Sequence, residues 1–392
     1  MYTIADTVGG AQVPLACAGP RQRAPRFDLV ENRLERGLQL GLLTPGVAQR
    51  TRLLARMLDS ASLSGEEMGS AFGISRAAVH KHISVLRSAG FVISSQRGLG
   101  HSLVEAPESP VPELVTLLLL GDPRMPAPGE AGFLGLPYHH HAEVGSTNDV
   151  CRGLAEAGSP EGTVAVAEAQ SAGRGRLDRI WCSRAGQDLT FSLLLRPGLA
   201  PVELGLLVLA IANGVALCLA EDVGLGSAVG LKWPNDVLVN SGKACGILME
   251  ASIDMDRVRW VVVGIGVNAN SRCSELIGVG GTPPGKEPPA SIADAVGSRV
   301  SRPALLVSLL ARISASLHQL DAEPGAVVRQ YEGFDALRGR TIRLTSGYGG
   351  RELARGVADG VEGDGSLRVR EAGGGVGFHG AGEVTVESVA GE

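Results

Sequence analysis

Six prolines fall between residues 107 and 135, and no other feature of this chain limits its fold as much. Proline has no amide hydrogen, fixes φ and pushes the residue before it out of the helical region, so no long helix or paired strand runs through such a stretch. The chain must build separate bodies on either side. Its 392 residues predict two to four of them, at about 100 to 200 residues per domain. The stretch itself, with repeated glycine and one leucine run (Leu117 to Leu120), reads as a linker holding a short packed helix.

Before the linker two kinds of text follow one another. Residues 1–45, rich in Gly, Pro and Arg, read as a poorly ordered extension. Residues 46–106 read as three helices and a hairpin. The helical period runs through Leu53-Leu54 and Met57-Leu58, turns at Ser64-Gly65, and resumes through Met68 and Phe72. Ser75 then caps a third helix that ends before Gly90 and can bury Ala78, Val79, Ile83 and Leu86. Phe91 to Ile93 and Ser102 to Val104 form the hairpin. Between 75 and 101 there are four cations (Arg76, Lys81, Arg87, Arg97), three histidines and no acid. A winged helix-turn-helix of this charge suits a DNA groove, with Ser75, Arg76, His80, Lys81, Arg87 and Arg97 as candidate contacts. Use of the same unit for protein contacts is the alternative.

Beyond the linker, residues 136–332 alternate strand-like runs (Thr163 to Ala167, Leu189 to Leu195, Val237 to Val239, Trp260 to Val267) with helical ones, as in an α/β body. Residues 333–392 hold short β runs separated by glycine turns, the spacing of a small barrel. The apolar run Leu206 to Ala220 is shorter than the ~20 residues a bilayer needs and is broken by Asn213-Gly214, so it reads as a buried helix. Six scattered cysteines without a CxxC pair read as reduced thiols, and the N-terminus lacks a secretory pattern; both favour the cytoplasm. With 36 Lys+Arg against 41 Asp+Glu, a polycation acting by bulk charge is excluded.

Chemistry-bearing residues gather in the α/β body. They are Ser146-Thr147-Asn148-Asp149, the loop Gln170 to Arg176, Lys232-Trp233-Pro234-Asn235-Asp236, Gly242-Lys243 with Gly246-Ile247-Leu248, and Gly264 to Asn268. Alternating glycine and arginine (Gly173, Arg174, Gly175, Arg176) lets the backbone approach an anion while guanidinium groups bind its oxygens. The usual nucleotide motifs do not fit: Asp178 stands where a dinucleotide fingerprint needs Gly, and Val237 where a phosphate loop needs one. Lys232 and Lys243 flank Val237 to Val239, and a turn at Asn240 to Gly242 brings both to one pocket. Two lysines and two arginines suit the joining of a carboxylate to a phosphate. Asp236 is a candidate Mg²⁺ ligand or a plain turn acid.

Taken in order, these segments resemble the bifunctional biotin protein ligases that also repress the biotin operon, over residues 51–392; Ser75 to Ile83 is similar to their recognition helix. The resemblance implies an α+β multidomain chain: an N-terminal winged helix-turn-helix, a central α/β biotin/lipoate-ligase-like catalytic domain and a C-terminal SH3-like β-barrel. It implies that biotin and Mg²⁺·ATP give biotinyl-5′-AMP, whose acyl group passes to a lysine of a biotin carboxyl carrier protein. Catalytic roles fall to Arg176, Lys232 and Lys243. Biotin or adenylate contacts fall to Ser146, Thr147, Asn148, Gln170, Arg174, Gly175, Arg176, Lys243, Gly246 and Asn268. Operator DNA and an adenylate-bound homodimer are the further implied partners, without a membrane.

The chain departs from the family where Asp178-Arg179 replaces Gly-Arg, so an acid stands ready to pair with Arg176. The run His139 to His141 lies outside the pattern and reads as the start of a surface strand. A ligand-sensing regulator with an inactive ligase-like domain and a lipoate-type ligase are the competing readings.

Overall fold

The computed structural model describes residues 27–60, 62–96, 99–177, 179–276, 287–347 and 350–387. Arg97, Asp178 and residues 1–26 lie outside the described residues. The chain forms two compact units, one from residues up to His140 with 301–311, the other from 141–300 with 312–392.

In the first unit, α1 (Phe27–Gln39) packs on α2 (Pro45–Asp59), so residues 27–45 are not the loose extension their composition predicts. Val30 and Leu34 supply the buried stripe, and Arg52 of α2 pairs with Glu31 and Glu35 of α1. The stretch 107–135 holds the short packed helix expected there. This helix, α5 (Pro112–Gly121), packs on both α1 and α2. Pro112 sits in the first turn, where the missing amide hydrogen costs nothing, and Leu114, Val115, Leu117, Leu119 and Leu120 are buried. Arg33 of α1 then donates to the carbonyls of Leu120, Asp122 and Met125, at and just beyond the end of α5.

The helix-turn-helix follows local rules. Ser64 and Glu67 close a capping box on α3 (Gly65–Phe72), and Gly73 ends it at φ 62°, a conformation that favours glycine. Ser75 caps α4 (Arg76–Ser88), its hydroxyl accepting from Ala78 N at 3.2 Å. Strands β1 (Val92–Gln96) and β2 (Gly100–Glu105) form the antiparallel wing.

In the second unit, strands run in the order β3 (Tyr138–Val144), β4 (Val164–Gln170), β5 (Leu189–Leu195), β9 (Arg257–Val267), β8 (Gly242–Asp254), β7 (Asp236–Val239), β6 (Val229–Lys232), antiparallel from β4 to β6. The three histidines follow Tyr138 in β3, and no group of three potential metal ligands occurs among the described residues. Helix α6 (Thr147–Glu156) lies across β4, β5 and β9, burying Cys151 and Ala155 on Ala165, Leu194 and Val262. Helix α7 (Leu204–Leu217) is buried along nearly its whole length. Its Asn213-Gly214 interruption serves packing: Asn213 Nδ2 donates to Val327 O at 2.9 Å, and a Cβ on Gly214 would meet Ile313 Cα at 2.8 Å.

The five described cysteines are free, and burial pushes the Cys151 thiol up to about 12. Residues 341–386 form a five-stranded antiparallel sheet in the order β13 (Val376–His379), β12 (Leu367–Glu371), β11 (Glu352–Val361), β10 (Thr341–Thr345), β14 (Glu383–Val386).

Candidate functional site

One pocket of the second unit draws together the start of α6, the loop after β4, the facing parts of β8 and β9, the β6–β7 turn and the approach to β14. Its floor follows from the sheet register. Gly246 pairs with Gly266 and Leu248 with Gly264 across β8 and β9, so three of the four floor positions carry no side chain. Two groups fill that space. A Cβ on Gly264 would stand 2.3 Å from Asn148 Oδ1, and one on Gly266 2.3 Å from Trp181 Cε2. The glycines are therefore seats for Asn148 and Trp181.

At the α6 end the site is neutral and closely hydrogen-bonded. Gln170 Oε1 accepts from Thr147 N at 2.8 Å and from its hydroxyl at 3.2 Å. Ser192 Oγ lies 2.7 Å from Thr147 Oγ1 and 2.6 Å from Asn148 Oδ1. Ser146, Thr147 and Asn148 are buried, and Asn148 Nδ2 has no partner. A buried, unpaired amide costs free energy until an acceptor arrives, so this group is a waiting donor.

The other end is cationic. Lys243 reaches the pocket through the turn expected between β7 and β8, where Asn240 and Ser241 take φ 49° and 65° in succession. Its Nζ lies 2.7 Å from Asp236 Oδ1 and 5.7 Å from the centre of the Trp181 ring. Lys232 ends β6, only 5% exposed, with Nζ 2.6 and 2.8 Å from the two carboxylate oxygens of Glu287. Arg176 Nη1 donates to Asn235 Oδ1 at 3.0 Å and Nη2 to Gly382 O at 3.3 Å. Burial lowers its pKa, opposed by Asp236 and aided by Arg179.

Arg174 has a different part. It pairs with Asp149 of α6 and Glu250 of β8, bonds that raise its pKa, the Asp149 hydrogen bond first. It ties the loop down and offers the pocket no unengaged guanidinium. That loop doubles back on itself: Gly175 N donates to Arg179 O, and Trp181 N to Gly173 O at 3.0 Å. Arg179 then pairs with Glu383 at the start of β14.

The predicted set Ser146, Thr147, Asn148, Gln170, Arg174, Gly175, Arg176, Lys232, Asp236, Lys243 and Gly246 thus lines one pocket. Asn268 does not. It is buried, and its Nδ2 joins Lys243 O at 3.1 Å to Ala290 O at 3.0 Å, making it a strut behind the lysine. Sequence reasoning missed Trp181 and Glu287. The first is one of three tryptophans in the chain and five residues beyond Arg176, a signal that was there to read. The second carries no local signal.

On the first unit, Arg76, His80 and Lys81 are exposed on α4 while Val79, Ile83 and Leu86 are buried. Arg87 is exposed but spoken for: its guanidinium donates to Ile93 O at 2.7 Å and Ser95 Oγ at 2.6 Å, bracing the wing. Ser75 is occupied as the helix cap.

Residues 143–268 match the model of the biotin/lipoate A/B protein ligase family, and residues 50–102 that of an HTH domain. The chain is 32% identical over 248 residues to the bifunctional ligase/repressor BirA of Bacillus subtilis, across 63% of this chain and 71% of that protein. BirA of Escherichia coli is 30% identical over 328 residues, 82% of this chain and 92% of the relative. Among solved structures, biotin protein ligase from Aquifex aeolicus in complex with biotin and ATP is similar at a TM-score of 0.51 and 27% identity, covering 64% of this chain and 98% of that one. This chain therefore belongs to the biotin protein ligase family, in the bifunctional branch that carries a helix-turn-helix unit before the ligase body.

Proposed function

We propose that this protein activates biotin with ATP to biotinyl-5′-AMP, transfers the biotinyl group to a lysine of a carboxylase carrier protein, and represses transcription through its helix-turn-helix unit when biotin is plentiful. The observation that carries this reading is a pocket with two unlike ends: the unpartnered amide of buried Asn148 at one, and Arg176, Lys232 and Lys243 at the other. A ureido ring suits the first end and a triphosphate the second. In the first step a biotin carboxylate oxygen attacks the α-phosphorus, the bond to the β-phosphate breaks, and pyrophosphate leaves with the electron pair. Both reactants are anions, so Lys243 and Lys232 offset the repulsion and the charge that gathers on the phosphoryl oxygens. In the second step the neutral carrier amine attacks the acyl carbon, AMP leaves, and the new amide nitrogen gives up a proton.

Arg176 holds the adenylate phosphate while the loop of residues 173–181 closes over it. Asp236 fits as one carboxylate for magnesium brought in with ATP, since Mg²⁺ takes one or two carboxylates besides phosphate and water, and it gives up Lys243 in doing so. The bound ion supplies neutralisation of phosphate charge. Residues 46–106 read operator DNA, 136–332 perform the chemistry, and 333–392 close as an SH3-like barrel beside the adenylate. Ordering of the loop by adenylate favours a homodimer, whose two recognition helices meet two half-sites. The setting is the cytoplasm.

Biotin-dependent exchange of labelled pyrophosphate into ATP, with lipoate as the control acid, tests the core of this reading. Exchange with biotin alone is the expected result. Exchange with lipoate alone reassigns the substrate, and none with either acid removes the ligase activity.

A further inference from the structure

We infer that Glu287 is the positioning residue for Lys232, holding a buried ammonium so that one N–H is left for the phosphoryl oxygens. This rests on the ligase reading above. A cation as buried as Lys232 does not stay fixed and charged without a partner, and Glu287 meets it with both carboxylate oxygens, at 2.6 and 2.8 Å. An ammonium has three donors, so one remains. Lys232 lines the pocket while Glu287 does not, which puts the carboxylate behind the lysine and not in the place of a phosphate.

The backbone of the same segment holds the second lysine. Lys243 N donates to Pro288 O at 2.7 Å, Ala290 N donates to Lys243 O at 2.9 Å, and Asn268 Nδ2 clamps Lys243 O to Ala290 O. The fit is close: a Cβ on Gly242 would stand 2.9 Å from Ala290 Cβ and 3.1 Å from Pro288 O. Residues 287–290 are thus a strap that holds Lys232 by a side chain and the backbone of Lys243 by main-chain bonds, so both lysines are anchored to one segment before a nucleotide arrives. Preorganised charge of this kind is what transition-state stabilisation needs.

The test is a double-mutant cycle in the full-length protein, with Glu287→Gln, Lys232→Gln and the pair, read as biotin-dependent pyrophosphate exchange. Glu287→Gln is expected to lower kcat by about 10²-fold, the scale of an ångström of misplacement, with KM for biotin unchanged. Glu287→Asp is expected to restore part of the rate. The double variant should be no slower than Lys232→Gln alone, because Glu287 acts through the lysine. Multiplying losses overturn the inference, as does a uniform loss that Glu287→Asp fails to relieve. Faster exchange or a lower KM for ATP in Glu287→Gln overturns it in favour of a carboxylate that competes with phosphate. The same cycle in ATP affinity, by titration calorimetry, needs no turnover. A wild type without exchange then removes the ligase reading, and the calorimetric cycle still decides the role of Glu287.

Discussion

The recognition helix and the ligase-like pocket both gather positive charge, and they hold it in opposite ways. On α4, Arg76, His80 and Lys81 stand exposed, with no acid anywhere between residues 75 and 101. In the pocket each cation is already engaged: Lys232 by Glu287, Lys243 by Asp236, Arg174 by Asp149 and Glu250, Arg176 by Asn235 and a carbonyl. An exposed cation in water costs little and can wait for a polyanion, whose binding releases counterions. A buried one must be matched beforehand or pay for its desolvation. The first face should therefore respond to salt and pH, and the second to exact partners.

The pocket side breaks most severely at Lys243. Lys243→Gln removes the cation proposed to face both reacting anions and leaves Asp236 without its partner, so exchange is expected to fall by about 10³-fold. A variant within tenfold of wild type would mean that Lys243 holds the β7–β8 turn and nothing more. Next in size is the neutral end. Asn148→Ala removes the waiting donor and the acceptor beside Ser192, and loss of a buried hydrogen bond is worth about 1 kcal/mol. KM for biotin should rise by about fivefold with KM for ATP unmoved. Equal increases in both would contradict the division of the pocket into two ends.

The DNA side gives a smaller effect of a different shape. Lys81→Ala should weaken operator and non-specific DNA alike, and lower the slope of log affinity against log salt by about one. A change in sequence preference with the slope intact would assign Lys81 to base reading. Arg87→Ala sharpens the contrast, because that side chain is bound to the wing; its loss should lower the melting temperature more than the salt slope.

What could be read from the sequence follows the range of the forces involved. The helix-turn-helix was legible because Ser64, Glu67, Gly73 and Ser75 act within four residues of themselves. The pocket was legible where chemistry demands a residue type, as at Arg176, Lys232 and Lys243. Partners brought in by the fold were not. Glu287 lies 55 positions from Lys232, and Glu250 lies 76 from Arg174, which is why Arg174 read as an anion ligand and not as a tether. Composition misled at α1, where Gly, Pro and Arg counts concealed the buried stripe of Val30 and Leu34, whereas at α5 the leucine run already marked the packed helix. The resemblance identified Asn268 as a contact, whereas its amide acts on the backbone behind the site.

The smallest effect concerns protons. His82 and His101 of the first unit have pKa values lowered from 6.5: burial is the main cause in both, followed by Arg50 and Lys81 for His82, and by Arg87, His80 and Arg76 for His101. The folded protein thus resists protons that the unfolded chain accepts. Their contribution to stability is complete above 6.5 and is lost as pH falls through that value toward the lowered folded ones. Phosphates of bound DNA offset the cations that repel the proton, though not the burial that is the main cause. Operator affinity at constant salt is therefore expected to rise by about threefold between about pH 7.5 and about pH 6, while the melting temperature of the free protein declines over the same range. His101→Gln should flatten both trends. Fluorescence anisotropy and thermal melts across that interval check the pair. Affinity that stays level while stability falls would mean that the histidines lie away from the phosphates and that Arg76 and Lys81 carry the contact alone.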